Sequence, residues 1–478
     1  MATISRRKVF NSMWDAWRTR HGGSRVLANR QKERLASLVS FARSHSAFYQ
    51  KLYSHLPPTI ENLRLLPPVT KPELMDNFDG WVTDPAVTRA SLEAFVADPT
   101  LIGQLYLDRY AACMTSGTTG EPGLFVHDSN ATAIYAAFVA VRGYLSWLSP
   151  SQWWVTLPQK MRFASVLATS GHFGGVIYVG LGDSFRSRPS DRRGFLSVMT
   201  PLPELVQALN DFQPSILGSY PSLVALLAEE QIAGRLRINP MVIATSGEWL
   251  APVVREQIAA AFNCPVRETY ACSEFLGVAF SCSYNWLHVN SDWVIVEPVD
   301  ESYRPTPPGQ PSHTVLLTNL ANRVQPVIRY NLGDSITASP DPCPCGNPLP
   351  AIRVEGRRDE ILALRTPEGK TIPLMPMAVT TAVEVVPGVH RFQIIHTAPE
   401  TLTIRLEASP GADAAQVWEA VAIRLREYLS AQGLPSVTVE KAAEPPQAHP
   451  VSGKFRQAWA EPGAIDQTTT GHWRRGKA

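Results

Sequence analysis

Apolar positions follow helical spacing in two early segments of the chain. Residues 30–53 are predicted to form an amphipathic helix with one apolar face. That face contains Leu35, Leu38, Val39 and Ala42. A mostly apolar segment from Asn130 to Ser146 repeats at the same period, so a second helix is predicted there.

Short apolar runs alternate with helical segments through the middle of the chain. Strands are predicted at 153–157, 176–179, 215–219, 242–245 and 266–270, and helices at 202–212, 223–230 and 252–262. Strand, glycine turn and helix repeated in this order predict a parallel sheet. Such a sheet binds its ligands beyond the carboxyl ends of the strands.

The last third of the chain changes to strands that pair locally. Paired strands are predicted at 293–299 with 314–319 and at 392–396 with 402–407, followed by a helix at 413–430 and a strand at 437–441. The segment beyond residue 356 therefore has the pattern of a small α+β unit. The chain as a whole is predicted to be α/β, with this unit at its C-terminal end.

A loop of hydroxyls and glycines, Thr115–Gly123, lies between the apolar runs 110–114 and 124–126. Glycines let main-chain N–H groups approach a polyphosphate, and the hydroxyls add further donors. The loop lacks the Gly-Lys-Ser/Thr of the common P-loop. A solvated hairpin turn is the competing interpretation.

Composition and charge narrow the function classes. The chain has 478 residues, of which 45% are hydrophobic and 18% charged, and a net charge of +2. We therefore expect neither a nucleic-acid nor a membrane partner. Trp14, Asp15 and Trp17 stand where a signal peptide needs an uninterrupted apolar core, so a cytoplasmic location is expected.

The six cysteines are too few for a disulfide scaffold in a chain of this length. Cys282, His288, Cys343 and Cys345 would supply three thiolates and one imidazole, which satisfy a closed tetrahedral zinc site. Because four protein ligands leave no open position, such a zinc would be structural. The alternative is an ordinary Cys-Pro-Cys-Gly turn beside a histidine that caps a strand.

Four later stretches follow the Thr115–Gly123 loop in the order found in the adenylate-forming (ANL) superfamily. They are Tyr270–Glu274, Tyr330–Asp334, Gly356–Asp359 and Ser452–Lys454. The chain resembles that superfamily, and its Cys-Pro-Cys-Gly turn and Leu-His-Val segment are similar to the phenylacetate–coenzyme A ligase branch.

The resemblance implies two domains. Residues 1–355 would form a large ATP- and acid-binding adenylation domain, with parallel sheets flanked by helices and a β-subdomain. Residues 356–478 would form a small mobile α+β domain, with its hinge near Asp359. Homodimers are common in the superfamily, so a homodimer is a candidate assembly.

The resemblance also assigns roles to residues. ATP and AMP would be bound by Thr115, Ser116, Gly117, Thr118, Thr119, Gly120, Ser246, Gly247, Glu248, Glu268, Thr269, Tyr270, Asp334 and Arg357. The acid would be bound by Tyr135, His172, Phe173, Gly174 and Tyr220, although a plain glycine turn with a satisfied histidine also explains 172–175. Glu274 would hold Mg²⁺, and Lys454, Glu274 and Thr118 would be the catalytic residues.

In the first step of the implied reaction, ATP and a small carboxylic acid, expected to be aromatic, form acyl-AMP. In the second step the acyl group forms a thioester with coenzyme A. Two features depart from the family pattern. Glu121 replaces a lysine in the phosphate loop, and Leu364–Thr371 replaces a shorter glycine-containing stretch that lets the pantetheine arm pass. The second departure keeps open transfer to an amine or a carrier-protein thiol. A non-catalytic nucleotide-binding relative is a further alternative.

Overall fold

The structure is a computed structural model of the whole chain. It describes residues 5–57, 60, 62–115, 123–149, 161–169, 171–181, 193–198, 200–357, 362–366, 368–369, 371–374, 379–380, 382–383, 386–447, 455–461 and 464. None of the helices within these ranges is long and apolar enough to cross a membrane.

Helices occupy the first quarter of the chain and flank the later strands. They are α1 (Arg6–His21), α2 (Gly23–His45), α3 (Ala47–Leu52), α4 (Lys71–Asp76), α5 (Phe78–Trp81), α6 (Arg89–Ala97), α7 (Ser129–Phe138), α8 (Leu145–Trp147), α9 (Gly174–Leu181), α10 (Leu202–Phe212), α11 (Pro221–Ile232), α12 (Pro252–Phe262) and α13 (Ala414–Ala431). A π-helix, Val139–Tyr144, joins α7 to α8, and short 3₁₀ turns lie at Leu63–Leu65 and Pro99–Leu101.

Twenty strands are described in the same ranges. They are β1 (Ala111–Met114), β2 (Leu124–His127), β3 (Phe163–Leu167), β4 (Arg193–Ser197), β5 (Ile216–Ser219), β6 (Val242–Ser246), β7 (Val266–Cys272), β8 (Phe275–Ser281), β9 (Leu287–Val289), β10 (Val294–Val299), β11 (Thr314–Asn319), β12 (Tyr330–Asn331), β13 (Asp334–Ala338), β14 (Ala351–Arg357), β15 (Leu362–Arg365), β16 (Thr371–Leu374), β17 (Val389–Ala398), β18 (Thr401–Ala408), β19 (Thr438–Lys441) and β20 (Ala458–Ala460).

The large sheet has nine strands in the order β13-β14-β9-β8-β7-β6-β5-β3-β4. Strands β4, β3, β5, β6 and β7 run parallel, as the repeated strand, turn and helix predict. From β8 onward the neighbours are antiparallel, because β7 and β8 are joined by a tight turn. The α/β class is therefore confirmed, and the sheet is mixed rather than wholly parallel.

The smaller sheets are antiparallel or mixed. Strands β10, β11 and β12 form a three-stranded sheet whose β10–β11 pair was predicted from the sequence. Strands β19-β18-β17-β20 form a four-stranded sheet with α13 packed on it, around a buried cluster built only from residues beyond 361. The division at residue 356 and the hinge at Asp359 stay predictions, and Asp359 lies outside the described residues.

The strands predicted on either side of the Thr115–Gly123 loop are present and pair as the antiparallel hairpin β1–β2. Side chains complete the hydrogen bonds of β2. Gln325 Oε1 accepts from Val126 N–H at 2.8 Å, and Gln325 Nε2 donates to Leu124 O at 3.0 Å. Asn322 Nδ2 donates to Val126 O at 2.7 Å. The short hairpin thus has its main-chain groups satisfied without further strands.

Three predicted elements differ from the structure or lie outside the described residues. The strand predicted at 176–179 is wrong, because these residues lie in α9, where the buried Val176, Ile177 and Leu181 follow helical spacing. A short apolar run does not distinguish a strand from a buried helix. The helix predicted at 30–53 is two helices, since Ser46 caps α3. The strand predicted at 153–157 lies outside the described residues.

A buried ion pair ties the N-terminal helices to the sheet. The Arg142 guanidinium, in the π-helix, donates to both carboxylate oxygens of Asp292 at 2.6 and 2.8 Å. Their side chains are 4% and 0% exposed. Arg142 also donates to Asn290 Oδ1 and to Ala16 O in α1. Breaking such a pair by removing one charge leaves the other buried without compensation.

We expect Asp292→Asn to lower the free energy of unfolding by about 3–5 kcal/mol, because Arg142 keeps its buried charge and loses its counter-charge. Urea denaturation followed by tryptophan fluorescence measures the effect. Asp341→Asn, at an exposed carboxylate, is the matched control and should change the unfolding free energy little. Equal unfolding midpoints for the two variants would contradict a stabilising role of the pair.

Candidate active site

Three neighbouring parallel strands end together at one edge of the large sheet. The register pairs Ser219 of β5 with Thr245 of β6, and Ser246 of β6 with Thr269 of β7. The residues that follow these strands therefore lie side by side. They include several of the residues predicted to bind the nucleotide, and the edge is the one where parallel sheets bind ligands.

The turn after β6 directs a carboxylate toward α11. Gly247 has φ +84°, a left-handed conformation that glycine adopts without steric cost. Glu248 follows, and its Oε2 accepts a hydrogen bond from Ser222 N–H at 3.0 Å in the first turn of α11. The N–H groups of this turn have no partner inside the helix, and an anion there is favoured by the helix dipole.

The next predicted residues lie on β7. Glu268 forms an ion pair with Arg255 of α12, and its N–H donates to Ser281 Oγ at 2.7 Å. Thr269 is buried opposite Ser246. The Glu268 carboxylate is thus held by α12, which orients this part of β7.

Tyr270 and Asp334, predicted for adenine and ribose, are brought into direct contact. The Tyr270 hydroxyl donates to Asp334 Oδ2 at 2.5 Å, across 64 residues of sequence. Asp334 begins β13, whose register places it opposite the Arg357 main chain on β14. The Arg357 side chain lies outside the described residues. A carboxylate fixed in this way can accept hydrogen bonds from a pair of hydroxyls.

Glu274 lies in the turn between β7 and β8 and is 4% exposed. Burial, followed by the nearby carboxylates of Glu274 and Asp334, raises the pKa of the Cys272 thiol well above its usual value. A carboxylate such as that of Glu274 is a ligand that Mg²⁺ takes from proteins beside substrate phosphates.

A buried hydrogen-bond network that the sequence did not reveal holds this turn. His127 Nε2 donates to Ser273 O at 2.9 Å, so its Nδ1 is free to accept from the Tyr135 hydroxyl at 3.3 Å. Asn319 Nδ2 donates both to Tyr135 Oη and to Glu274 O, each at 2.8 Å. Tyr135, predicted for the acid pocket, is fully buried in this network. The sequence gives no sign of these contacts, which span 146 and 184 residues.

The phosphate loop is described only at its base. Thr115 N–H donates to Gly123 O at 2.9 Å, and Gly123 N–H donates to Thr115 Oγ1 at 2.8 Å, which closes the hairpin. The predicted residues Ser116, Gly117, Thr118, Thr119 and Gly120 lie outside the described residues, as does Glu121. Their roles stay predictions.

The other predicted acid-pocket residues lie between this hairpin and the ends of the strands. His172 O accepts from Met114 N–H at 2.8 Å, and its buried ring donates to Asp98 O at 3.2 Å. A Cβ at Gly174 would come within 3.1 Å of Leu276, so a larger residue is not accommodated freely there.

Phe173 and Tyr220 differ in their surroundings. Phe173 bridges to Met114 and is partly exposed. Tyr220 caps α11, accepts from Ala168 N–H at 3.3 Å, and is buried, which raises its pKa. Among the five predicted pocket residues, Phe173 and Gly174 thus keep accessible surface, and the pocket assignment stays a prediction.

Lys454, the predicted catalytic lysine, lies outside the described residues. Phe455, which follows it in the sequence, is described, and its N–H donates to Glu248 Oε1 at 2.6 Å. The C-terminal segment is therefore attached to the turn that carries the predicted adenine-binding residues. Sequence reasoning placed Glu248 beside the nucleotide and missed this contact.

The four predicted zinc ligands converge at the opposite end of β8. Their ligand atoms all lie within 4.8 Å of one another. Cys282 Sγ is 3.7 Å from Cys343 Sγ, and Cys345 Sγ is 3.2 Å from His288 Nε2. The edge of a tetrahedron with Zn–S bonds is about 3.8 Å. His288 Nδ1 donates to Leu349 O at 2.9 Å, which leaves Nε2 to face the thiols, as in zinc-bound histidines. The donor set and its spacing fit zinc.

Protonation of His127 should couple stability to pH. Burial lowers its pKa from 6.5 to about 4, so the unfolded chain binds a proton at a pH where the folded chain does not. Stability is therefore complete above pH 6.5 and falls as the pH decreases towards 4. We expect His127 to account for a loss of about 2–3 kcal/mol at pH 4.5.

His127→Gln should flatten this part of the pH dependence while lowering stability at pH 7, because Ser273 O and Tyr135 lose their partner. Urea denaturation between about pH 7 and pH 4.5 measures the slope. His55→Gln, at an exposed histidine, serves as the control and should keep the wild-type slope. A slope unchanged by His127→Gln would show that the buried imidazole does not govern it.

Two sequence relatives bear on the identity of the chain. Phenylacetate-coenzyme A ligase of Thermus thermophilus is 24% identical over 392 residues, which are 78% of each protein. Protein CapK of Staphylococcus aureus is 26% identical over 133 residues, and this match spans only 28% of that protein. No family model matches the chain.

Solved structures share the fold. The 2-hydroxyisobutyryl-CoA ligase in the postadenylation state with 2-HIB-AMP is 19% identical, with a TM-score of 0.67 over 94% of this chain and 92% of that one. The same ligase with 2-HIB-AMP and CoA in the thioesterification state overlaps less, with a TM-score of 0.54 and 20% identity over 93% and 92%. The chain thus has the fold of this AMP-forming acid–CoA ligase, and over 78% of its length its sequence is distantly similar to phenylacetate-coenzyme A ligase.

Proposed function

We propose that this chain converts a small carboxylic acid, in the first place an aromatic one, into acyl-AMP and then into its coenzyme A thioester. The observation that supports this most is the convergence at one sheet edge of Gly247, Tyr270 and Asp334 with the buried carboxylate of Glu274. Asp334 lies 64 residues beyond Tyr270 in the sequence, so its contact with Tyr270 is made by the fold. This meeting supports a nucleotide site at this edge.

The nucleotide is held from two sides in this proposal. Tyr270 covers the adenine, and its hydrogen bond to Asp334 fixes the carboxylate that accepts the ribose hydroxyls. The turn Ser246–Gly247 lies against the other side of the adenine. The loop between β1 and β2 binds the phosphates through main-chain N–H groups, and pyrophosphate leaves from there.

Glu274 would hold Mg²⁺, which would supply positive charge to neutralise the phosphates. The network of His127, Tyr135 and Asn319 keeps the turn that carries Glu274 in place. The carboxylate therefore does not need to reorganise when ATP enters, and preorganised charge is the main source of catalysis in such a reaction.

Lys454 is assigned to the first step. The acid carboxylate attacks the α-phosphorus, and negative charge is shared between the attacking and phosphate oxygens. An ammonium group that contacts both stabilises this transition state. In the second step the coenzyme A thiol attacks the acyl carbon, and AMP leaves. The expected homodimer is part of the proposal and rests on the resemblance alone, whereas the cytoplasmic location stays an expectation from the sequence.

Transfer to an amine or to a carrier-protein thiol is the second candidate function. The stretch that departs from the family pattern, Leu364–Thr371, runs from the end of β15 to the start of β16, and these two strands pair as an antiparallel hairpin. The family has a shorter stretch there, beside the path of the pantetheine arm. AMP release measured with coenzyme A, with hydroxylamine and with a phosphopantetheinyl carrier protein distinguishes the acceptors.

ATP–pyrophosphate exchange with phenylacetate, benzoate and 2-hydroxyisobutyrate tests the adenylation step. We expect exchange with at least one aryl acid, and Lys454→Ala should slow it by about a hundredfold or more because the transition state loses its cation. Lys441→Ala, at an exposed lysine of β19, should leave the exchange rate unchanged. Full exchange in Lys454→Ala would contradict the assignment of that residue.

We also propose that Cys282, His288, Cys343 and Cys345 bind one structural Zn²⁺. The cluster joins the end of β8 to a segment 61 residues later, so bound metal would stabilise the fold without taking part in the reaction. The distances between the ligand atoms and the hydrogen bond of His288 to Leu349 support this assignment.

Protein purified without added zinc should contain about one Zn²⁺ per chain by elemental analysis. Cys345→Ser should lower both the zinc content and the thermal unfolding temperature, because three ligands hold the ion less tightly. Cys264→Ser, which removes a cysteine outside the cluster, should retain the full zinc content. Metal-free protein with wild-type thermal stability would exclude a structural zinc.

A further inference from the structure

The Glu248 carboxylate connects two parts of the chain that are far apart in sequence. Its Oε2 accepts from Ser222 N–H of α11 at 3.0 Å, and its Oε1 accepts from Phe455 N–H at 2.6 Å. The second contact spans 207 residues. Each oxygen thus binds one main-chain N–H, and hydrogen bonds to an ionised acceptor are among the stronger ones.

We propose that Glu248 is a positioning residue that docks the C-terminal segment for the acyl-AMP-forming step. The inference rests on the proposed function and deepens it. Phe455 directly follows Lys454 in the sequence, so a hydrogen bond at its N–H acts on the peptide group that links the two residues. In this proposal the carboxylate in the adenine-side turn anchors the chain at the residue next to that lysine.

A second contact supports docking along the same helix. Glu229, near the other end of α11, lies 2.8 Å from His390 Nε2 of β17. Ser222 and Glu229 are separated by seven residues, which is two helical turns, so they are on the same face. Arg391, next to His390, lies over the Phe455 ring at 4.8 Å. One face of α11 therefore contacts β17 directly at its Glu229 end and reaches Phe455 through Glu248 at its Ser222 end.

Glu248 is held in place by α11 independently of Phe455. Ser222 is in the first turn of the helix, where N–H groups lack helical partners and favour a negative charge. The carboxylate is accordingly oriented by α11 through Oε2, while Oε1 accepts from Phe455. Docking then requires little rearrangement on the side of the sheet.

The contact is expected to serve the first step rather than the second. The chain overlaps more with the related ligase in the postadenylation state than in the thioesterification state, with TM-scores of 0.67 and 0.54. The arrangement that contains the Glu248–Phe455 hydrogen bond is thus the one closer to the adenylation side of the reaction. Loss of the bond should slow acyl-AMP formation selectively.

The test compares both half-reactions in the full-length chain. Exchange of ATP with pyrophosphate in the presence of phenylacetate measures the first, and thioester formation from synthetic phenylacetyl-AMP and coenzyme A measures the second. We expect Glu248→Ala to slow exchange about tenfold to a hundredfold and to leave thioester formation within about twofold of wild type. Glu248→Gln, which keeps one acceptor oxygen, should fall between the two.

A direct contact of Glu248 with the adenine gives a different result. In that case Glu248→Ala would raise the KM for ATP and would also impair the use of phenylacetyl-AMP, because both carry the same base. Equal loss in the two half-reactions, or loss in neither, overturns the docking role. Glu256→Gln, an exposed glutamate on α12, is the matched control and should leave both half-reactions unchanged.

Hydrogen exchange of the free protein tests docking without any substrate. The Phe455 amide should exchange about tenfold faster in Glu248→Ala than in wild type or Glu256→Gln. Unchanged exchange at Phe455 overturns the inference. Should wild type form no acyl-AMP with any of the acids, the proposed function fails, while the exchange measurement still decides whether Glu248 holds the segment.

Discussion

Buried main-chain groups around the site have to be hydrogen-bonded, and the segment Asn319–Gln325 meets that requirement. Asn319 uses both donors of its amide, on Tyr135 and on the carbonyl of Glu274. Gln325 and Asn322 satisfy the main chain of β2. A buried polar group without a partner is costly, so these few side chains decide where two loops can lie.

The consequence is a site whose two halves share one support. The hairpin that leads to the phosphate loop and the turn that carries Glu274 are fixed by residues of the same short segment. The His127 ring links them, since His127 is the last residue of β2 and its ring donates to the carbonyl of Ser273, the residue before Glu274. Displacement of the segment would therefore disturb the hairpin and the turn that carries Glu274 together.

Local patterns predicted much of the fold, because apolar periodicity and turn residues act over a few positions. The strands β5 to β7, the helices between them and the β17–β18 hairpin agree with the sequence within a few residues. The cluster of Cys282, His288, Cys343 and Cys345 was also predictable, since only a few residue types bind zinc. The family resemblance placed Tyr270 and Asp334 near the nucleotide, but it did not predict the hydrogen bond between them.

What local patterns miss is contact between distant segments. Nothing near His127 indicates that its ring meets Ser273, and nothing near Glu248 indicates Phe455. The helix at Gly174–Leu181 was missed for another reason, because β-branched residues in a short apolar run resemble a strand until their burial is known. Such features depend on tertiary packing, which is determined by the whole sequence together and not by any short segment of it.

The hydrogen bond between Glu248 and Phe455 has a main-chain N–H as its donor and a side chain as its acceptor. The two positions therefore tolerate different substitutions. Nineteen of the twenty amino acids offer that nitrogen's proton, so relatives are free to vary the side chain at position 455. Proline alone would abolish the bond at that end. At position 248 the hydrogen bond requires an acceptor on the side chain. A substitution there would be tolerated only if the new side chain had an acceptor that reaches the same nitrogen.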